Sequence, residues 1–430
     1  MKNRAFWAVL LVLVMVVSAL PVAAQGDEVE LRITWYDDGN EGEVLRDLLD
    51  RFEEEHPNIS VVIDTVPYSD LHTLLQAQVE TGEAPDMARI TFPNRFLGSY
   101  LDLTNYVEDP QYWLDNVPQA VLGSMRAGEE DEGIYGYPTQ FTVTGPFINV
   151  TLFEQAGVEI PADDSTWEEW VAAATEVAET LSDAEFTIYP VAIDRTGHRF
   201  WGPSLSRCAT YINEDGTFTV DTPGFRSTAE MIIGWHNDGL MPPDVWGGSA
   251  GNYVPAAPYF ISGQLVLYMS GSWQIGNFAQ NIGDTFDWRV IPNPSGDCGA
   301  TGVPGGALTV AFADTEHPEE VGMVMDYLFS EDVIREFYAR TLFLPGHLGL
   351  IEEGIEYPSN NEALNAFAAM IPNLMDEAYA LQYHPKGPDL NAAIRDRLSQ
   401  VIVGEMTLDE AIERIQEDMD ALFESAEAGS

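Results

Sequence analysis

Lysine is nearly absent from this chain. Among 430 residues only Lys2 and Lys386 are lysine; the other 17 basic residues are arginines, set against 70 aspartates and glutamates. The formal net charge is −51, and loss of Lys2 and Arg4 with a leader would make it −53. A field of that sign disfavours DNA, RNA and anionic lipid surfaces, so no nucleic-acid partner is expected. It suits an exported protein kept soluble by its acids, and a salty or acidic medium in which their repulsion is reduced.

Long apolar runs are also missing, with one exception. Residues 5–20 are apolar, follow Lys2 and Arg4, and lead into Val22-Ala23-Ala24. That order is the pattern of a secretory signal peptide, residues 1–24, cleaved after Ala24. At about 16 residues the run is short of the ~20 needed to span a bilayer. No cysteine near the cleavage site is present to carry a lipid. The expected location is periplasmic or extracellular.

Cysteine is scarce. Cys208 and Cys298 are the only two, and in an exported protein such a pair is more often a disulfide than two free thiols. The metal motif His-Glu-x-x-His is lacking too. An exported glycan-active hydrolase is therefore the weaker class of function. With 70 acids some carboxylate pair can always be nominated, so the residues alone leave that rival standing. The charged loop at residues 128–133 lacks EF-hand ligand spacing and reads as a solvated turn. No cofactor or metal is expected, and no internal repeat is visible.

What is present is an α/β pattern. Residues 31–36 read as a strand. Val44, Leu45, Leu48, Leu49 and Phe52 recur at helical spacing. Residues 59–66 are β-branched and extended. Leu71, Leu74, Leu75 and Val79 mark a second helix stopped by Gly82, and residues 86–91 form a third strand. Strand–helix–strand–helix–strand implies a parallel sheet, whose strands bind ligands at their carboxyl ends. That places Asp37, Asp38 and the turn at 91–95 beside a cleft. Further on, Thr166-Trp-Glu-Glu-Trp170 opens a helix with a capping-box pattern, and Asn213-Glu-Asp-Gly216 is a hairpin turn. Helices are expected at 226–236, 318–330, 332–341, 361–380, 390–403 and 408–425. Some 400 mature residues exceed one ordinary core, so two domains are expected.

The most informative stretch is residues 262–278. A Ser262–Gly263 turn leads into the apolar strand 265–269, then Ser270-Gly271-Ser272-Trp273. Small residues admit a ligand close to the backbone, and an indole offers a flat face suited to a sugar ring. On spacing alone Trp273 reads equally as a core aromatic.

Five separated pieces together resemble the extracellular solute-binding proteins of sugar-importing ABC transporters, the group that includes the maltose-binding protein. They are Thr81-Gly-Glu-Ala-Pro-Asp86; Gly133-Ile-Tyr-Gly-Tyr-Pro138 ahead of Leu152-Phe-Glu-Gln-Ala-Gly157; Thr166 to Trp170; Gly263 through Trp273; and Gly305–Gly306 ahead of His317-Pro-Glu-Glu320. Gly404-Glu-Met-Thr-Leu-Asp-Glu-Ala411 also looks like the family's last helix entry. Their order covers almost the whole mature chain.

The resemblance implies a two-lobed periplasmic-binding-protein fold of class II type, with discontinuous lobes joined by hinge strands. The lobes would be residues 29–142 plus 308–344, and 146–305 plus 345–430. It implies a monomer that binds a small-molecule sugar in the cleft, closes, and docks on the permease subunits of an ABC importer. Many Gram-positive relatives carry a lipidated cysteine after the leader, and this chain has none.

Within that framework Trp273 is the first stacking candidate, with Ser272 beside it, and Trp201 and Arg199 fall near another cleft position. Trp35, Tyr36 and Asp38 end the first strand. Trp35 and Tyr36 point to opposite faces, so only one reaches the cleft. Asn94 and Arg95 follow the third strand. Gln140 and Thr142 lie on the first crossing, and Gly305 and Gly306 on the second. Trp246 sits in a loop after Pro242-Pro243. Each has a plainer role open to it: Asp38 a helix cap, Arg95 a surface ion pair, Trp201 a core ring. A polyol, a phosphorylated polyol or a cationic small molecule is the runner-up ligand. Few basic residues besides Arg95, Arg199 and Arg395 are in reach of a phosphate, which disfavours an anion.

Overall fold

The computed structural model describes residues 28–128, 130–248 and 254–429. The leader at 1–24 and its cleavage point lie outside the described residues. Among those described, no helix is long and apolar enough to cross a membrane.

Strand β1 (Val29–Trp35) alternates buried and exposed residues at its start and is fully buried at its end. Helix Glu41–Glu55 buries Val44, Leu45, Leu48, Leu49 and Phe52, the stripe its periodicity dictates. Strand β2 (Ile59–Thr65) follows. Helix Tyr68–Thr81 buries Leu71 and Leu75 and ends at Gly82 in the left-handed conformation (φ 71°). Leu74, on the same apolar count, is 38% exposed. Strand β3 (Met87–Ile90) completes the unit. β1 pairs in parallel with both β2 and β3.

Strand β4 (Gly136–Asn149) is the long one. Residues 136–143 pair antiparallel with β8 (Pro304–Ala311), and residues 144–149 pair antiparallel with β6 (Leu265–Gly271) and β7 (Trp288–Val290). β5 (Tyr189–Ile193) pairs in parallel with β6. The main strand order is β2-β1-β3-β8-β4-β6-β5. One sheet thus runs through the molecule, and β4 and β8 carry the chain across its middle.

The apolar residues fall into two cores. One gathers residues from Val29 to Tyr137 and from Ala307 to Leu350; the other gathers residues from Val143 to Val303 and from Ala363 to Met419, with Leu342 and Leu344. Leu344 O accepts from Phe141 N on β4. Helix Leu348–Glu353 still packs on the first core through Leu350. The chain therefore returns to the second core a little after residue 350, later than the expected boundary at 345.

The capping box of helix Trp167–Leu181 forms, with Thr166 and Glu169 exchanging bonds. The expected helix at 361–380 is instead three pieces, Asn361–Met370, Ile371–Asn373 and Asp376–Tyr383. Pro372 has no amide hydrogen to continue an α-helix and its ring opposes the preceding turn. Cys208 and Cys298 are joined by a disulfide with an S–S distance of 2.01 Å.

Candidate ligand cleft between the lobes

A cleft of about 940 Å³ opens between the two cores. Its first wall comes from the carboxyl ends of β1 and β3, where open α/β sheets place ligands. Tyr36 and Asp38 follow β1, Tyr68 and His72 stand on helix Tyr68–Thr81 after β2, and Thr91 and Arg95 follow β3. Its floor is the two crossing strands, with Gln140 and Thr142 on β4 and Gly305 and Gly306 on β8. The second wall carries Arg195 to Arg199 after β5, Trp273 after β6, and Asn391 and Arg395 on helix Gly387–Ile402.

The first wall is organised by a residue that the sequence reading passed over. Arg89, in the middle of β3, is 0% exposed. Its Nη1 donates to Tyr36 O at 2.6 Å and to Glu41 Oε1 at 2.9 Å, and its Nη2 lies 3.4 Å from Asp38 Oδ2. The guanidinium carbon lies 4.1 Å from the Tyr36 ring centroid. A buried charge needs such partners. An arginine inside a four-residue buried strand was the available signal. Glu41 also accepts from the backbone N–H groups of Asp38 and Gly39, so it orders the loop that presents Asp38.

Burial pushes the Asp38 carboxyl up to about 7; Arg89 and Arg199 oppose that shift and Glu41 adds to it. Arg199 belongs to the opposite wall, so the two walls sense each other's charge. Burial, and then the nearby Arg95, hold His72 down at about 3. Burial and Arg199 do the same to His198. Both imidazoles are neutral at ordinary pH. His198 Nε2 faces Pro304 O at 3.2 Å, and Nδ1 faces Arg199 Nη1 at 3.1 Å. The carbonyl only accepts and the guanidinium only donates, which fixes the proton on Nε2.

Trp273 lines the second wall but is only 7% exposed. The Arg199 guanidinium carbon lies 4.1 Å from its ring centroid. A Cβ on Gly271 would come within 2.0 Å of the indole, so only glycine admits the ring there.

Of the residues singled out from sequence, the cleft brings together Tyr36, Asp38, Arg95, Gln140, Thr142, Arg199, Trp273, Gly305 and Gly306. Others stand elsewhere. Trp35 is 1% exposed, packs edge-on against Phe337, and donates from its indole N–H to Asp37. The alternation of β1 turns it into the first core while Tyr36 reaches the cleft. Trp246 is 0% exposed and donates to Ile193 O. Trp201, 1% exposed, belongs to the second core. Ser272 is buried behind the wall, its hydroxyl accepting from Val143 N. Asn94 borders the lobe contact: its Nδ2 donates to His384 O and Pro385 O of the second lobe at 3.0 and 2.9 Å. The lobes also approach at Gly39, where a Cβ would lie 3.3 Å from Asn277 N. Tyr68, His72, Arg195 and Asn391 line the cleft without having been singled out as contacts; nothing in their local spacing separates them from surface or cap residues.

Two lobes, two crossing strands and a polar cleft at the strand ends define a two-lobed periplasmic-binding-protein fold. The chain belongs to the bacterial extracellular solute-binding protein family, whose model matches residues 36–334. It is 25% identical over 360 residues to a putative binding protein of Brucella abortus, covering 83% of this chain and 85% of the relative. It is 26% identical over 340 residues to the multiple sugar-binding protein of Streptococcus mutans, covering 74% and 75%. Among solved structures, an ABC transporter solute-binding protein of Thermotoga lettingae bound with α-D-tagatose superposes with a TM-score of 0.75 at 16% identity, covering 91% of this chain and 99% of that one.

Proposed function

We propose that this chain binds a carbohydrate of one to a few rings in the cleft and hands it to an ABC importer after the lobes close. The observation that carries the reading is one cleft flanked by aromatic rings from both lobes, Tyr36 and Trp273, over a polar floor of Gln140 and Thr142. A sugar offers C–H faces to rings and hydroxyls to fixed polar groups, and such a site rejects analogues that lack the hydroxyls. Gln140 Oε1 is buried with no hydrogen-bond partner, which suits an acceptor held ready for a hydroxyl. The sugar-binding relative of Streptococcus mutans and the tagatose-bound neighbour support the same reading.

In this reading Tyr36, Asp38, Arg95, Gln140, Thr142, Arg199, Trp273, Gly305 and Gly306 contact the ligand. The lobes turn about β4 and β8, and the chain rejoins the second lobe only after helix Leu348–Glu353, which rides on the first. Closure of this kind concentrates the backbone change in a few residues. The protein is exported by residues 1–24, acts as a monomer, and meets two permease subunits with one face of both lobes. It binds and releases its ligand unchanged.

A thermal-shift screen of the mature chain against neutral and acidic mono-, di- and oligosaccharides tests the reading, because a ligand bound only by the folded state raises the melting temperature. A shift of several degrees, confirmed by calorimetry as one-site binding, is the expected result. No shift with any saccharide, or hydrolysis of one during the measurement, overturns it.

A further inference from the structure

Helix Gly387–Ile402 turns one face to the cleft. Pro388, Asn391, Ala392 and Arg395 line it, at the i, i+3, i+4, i+7 spacing that puts side chains on one side of a helix. Asn391 stands in the middle of that face and is 8% exposed.

Donor chemistry settles which way its amide points. The loop after β5 leads into helix Gly197–Ser206. His198 N, which can only donate, lies 3.3 Å from Asn391 Oδ1 and 3.3 Å from Thr196 Oγ1. A backbone N–H beside a side-chain amide selects the oxygen, so the Asn391 carbonyl faces this helix start. Thr196 Oγ1 accepts from His198 N, and its own hydrogen goes on to Asn391 Oδ1 at 2.9 Å. Two donors thus meet the two lone pairs of one oxygen. Gly197 permits the approach: a Cβ there would lie 2.6 Å from the Asn391 backbone oxygen.

With the oxygen held, Nδ2 is left on the other side of the amide. It has no hydrogen-bond partner among the described residues, and it is not closed off from solvent. Turning the amide over would set its N–H groups against the His198 N–H. The second wall therefore offers the cleft a donor whose direction is set before anything binds. Such a group loses little freedom on binding, and it discriminates against a partner that cannot accept.

We infer that Asn391 is a specificity-determining ligand contact, donating from Nδ2 to an oxygen of the bound sugar, and that Thr196 is the residue that positions it. This rests on the carbohydrate reading above and adds what the sugar must bring to the second wall, an oxygen acceptor. An ammonium group, which only donates, does not fit there.

The test is calorimetry on the mature chain with glucose, galactose, mannose and their 1,4-linked disaccharides, then with monodeoxy analogues of whichever sugar wild type binds most tightly. Asn391→Asp keeps the oxygen that Thr196 and His198 use and puts an acceptor where the donor stood. It should bind that sugar about tenfold more weakly or worse, with an unchanged melting temperature. One monodeoxy analogue should lose about tenfold on wild type and little on Asn391→Asp, the non-additivity of two groups in contact. Thr196→Val should weaken binding about threefold, and Thr196→Ser, which keeps the hydroxyl, should restore it. If Asn391→Asp does not fold, the same cycle run with Thr196→Val decides. Wild-type affinity in Asn391→Asp, or losses that add for every deoxy analogue, would overturn the inference and leave the carbohydrate reading intact. No binding of any of these sugars by wild type would overturn both.

Discussion

The guanidinium of Arg199 covers the ring of Trp273, with its carbon 4.1 Å from the ring centroid. Gly271 backs the same indole, and the ring keeps 7% exposure. In the proposed reading the surface offered to a ligand is an arginine and a tryptophan acting together, held by a cation–π contact of about 0.5–2 kcal/mol. Trp273→Ala should remove the indole edge and release Arg199. Affinity for the bound saccharide should fall more than tenfold, about 1–3 kcal/mol, in a calorimetric titration. Unchanged affinity would dismiss Trp273 as a contact.

Gly271→Ala tests the same unit from behind. Its Cβ would lie 2.0 Å from Trp273 Cζ3, so the ring must shift. Binding should weaken by several fold, and an intrinsic tryptophan fluorescence spectrum should change. A variant with native spectrum and native affinity would show that the indole is not fixed by this glycine.

Asp38 gives a pH dependence with a definite sign. Its carboxyl titrates near 7 in the folded protein and at 3.8 when free. Between those values the folded state holds a proton that the unfolded chain has lost, so stability falls as pH rises through this window. His72 and His198 act oppositely. Held at about 3 against 6.5 when free, they contribute stability that is complete above pH 6.5 and lost as pH falls toward 3. Urea unfolding of wild type and Asp38→Asn from pH 5 to about 8 separates the two: the variant should lose the decline on the alkaline side. Parallel curves would show that Asp38 titrates normally.

The disulfide closes a sequence separation of 90 residues. In the loop-entropy model a closure of that size contributes up to roughly 4–5 kcal/mol, and measured losses run about 2–5 kcal/mol. The double variant Cys208→Ser/Cys298→Ser should unfold at lower denaturant with the same cleft affinity near room temperature. Equal midpoints for the two proteins would count against a stabilising role.

Asn94 bridges the lobes by two hydrogen bonds to the 384–385 backbone. Asn94→Ala should favour the open arrangement, since each bond is worth about 0.5–1.5 kcal/mol net. Ligand release should quicken several fold, and the unliganded protein should show a larger radius of gyration by X-ray scattering. No change in either measurement would make the contact incidental.

Local patterns were legible wherever chemistry acts over a few residues. The apolar stripe from Val44 to Phe52, the Gly82 stop and the Thr166–Glu169 capping box all form as their spacing dictates. The alternation of Trp35 and Tyr36 was legible too, though not which of the two would line the cleft. Trp201 and Trp246 were misplaced because an indole beside a glycine or proline suits a cleft and a core equally well. Pro372 interrupted a helix whose apolar period alone ran on.

The sequence by itself determined the α/β order, the two-core size and the family, because periodicity, caps and turn residues act locally and the family's pieces are strung along the chain. Tertiary structure alone decided which charges and rings meet. Arg89 became the support of Asp38, and Arg199 came to lie over Trp273, only when distant segments packed. Burial and Coulomb interaction depend on distance in space, and the separation of two residues along a chain does not report it.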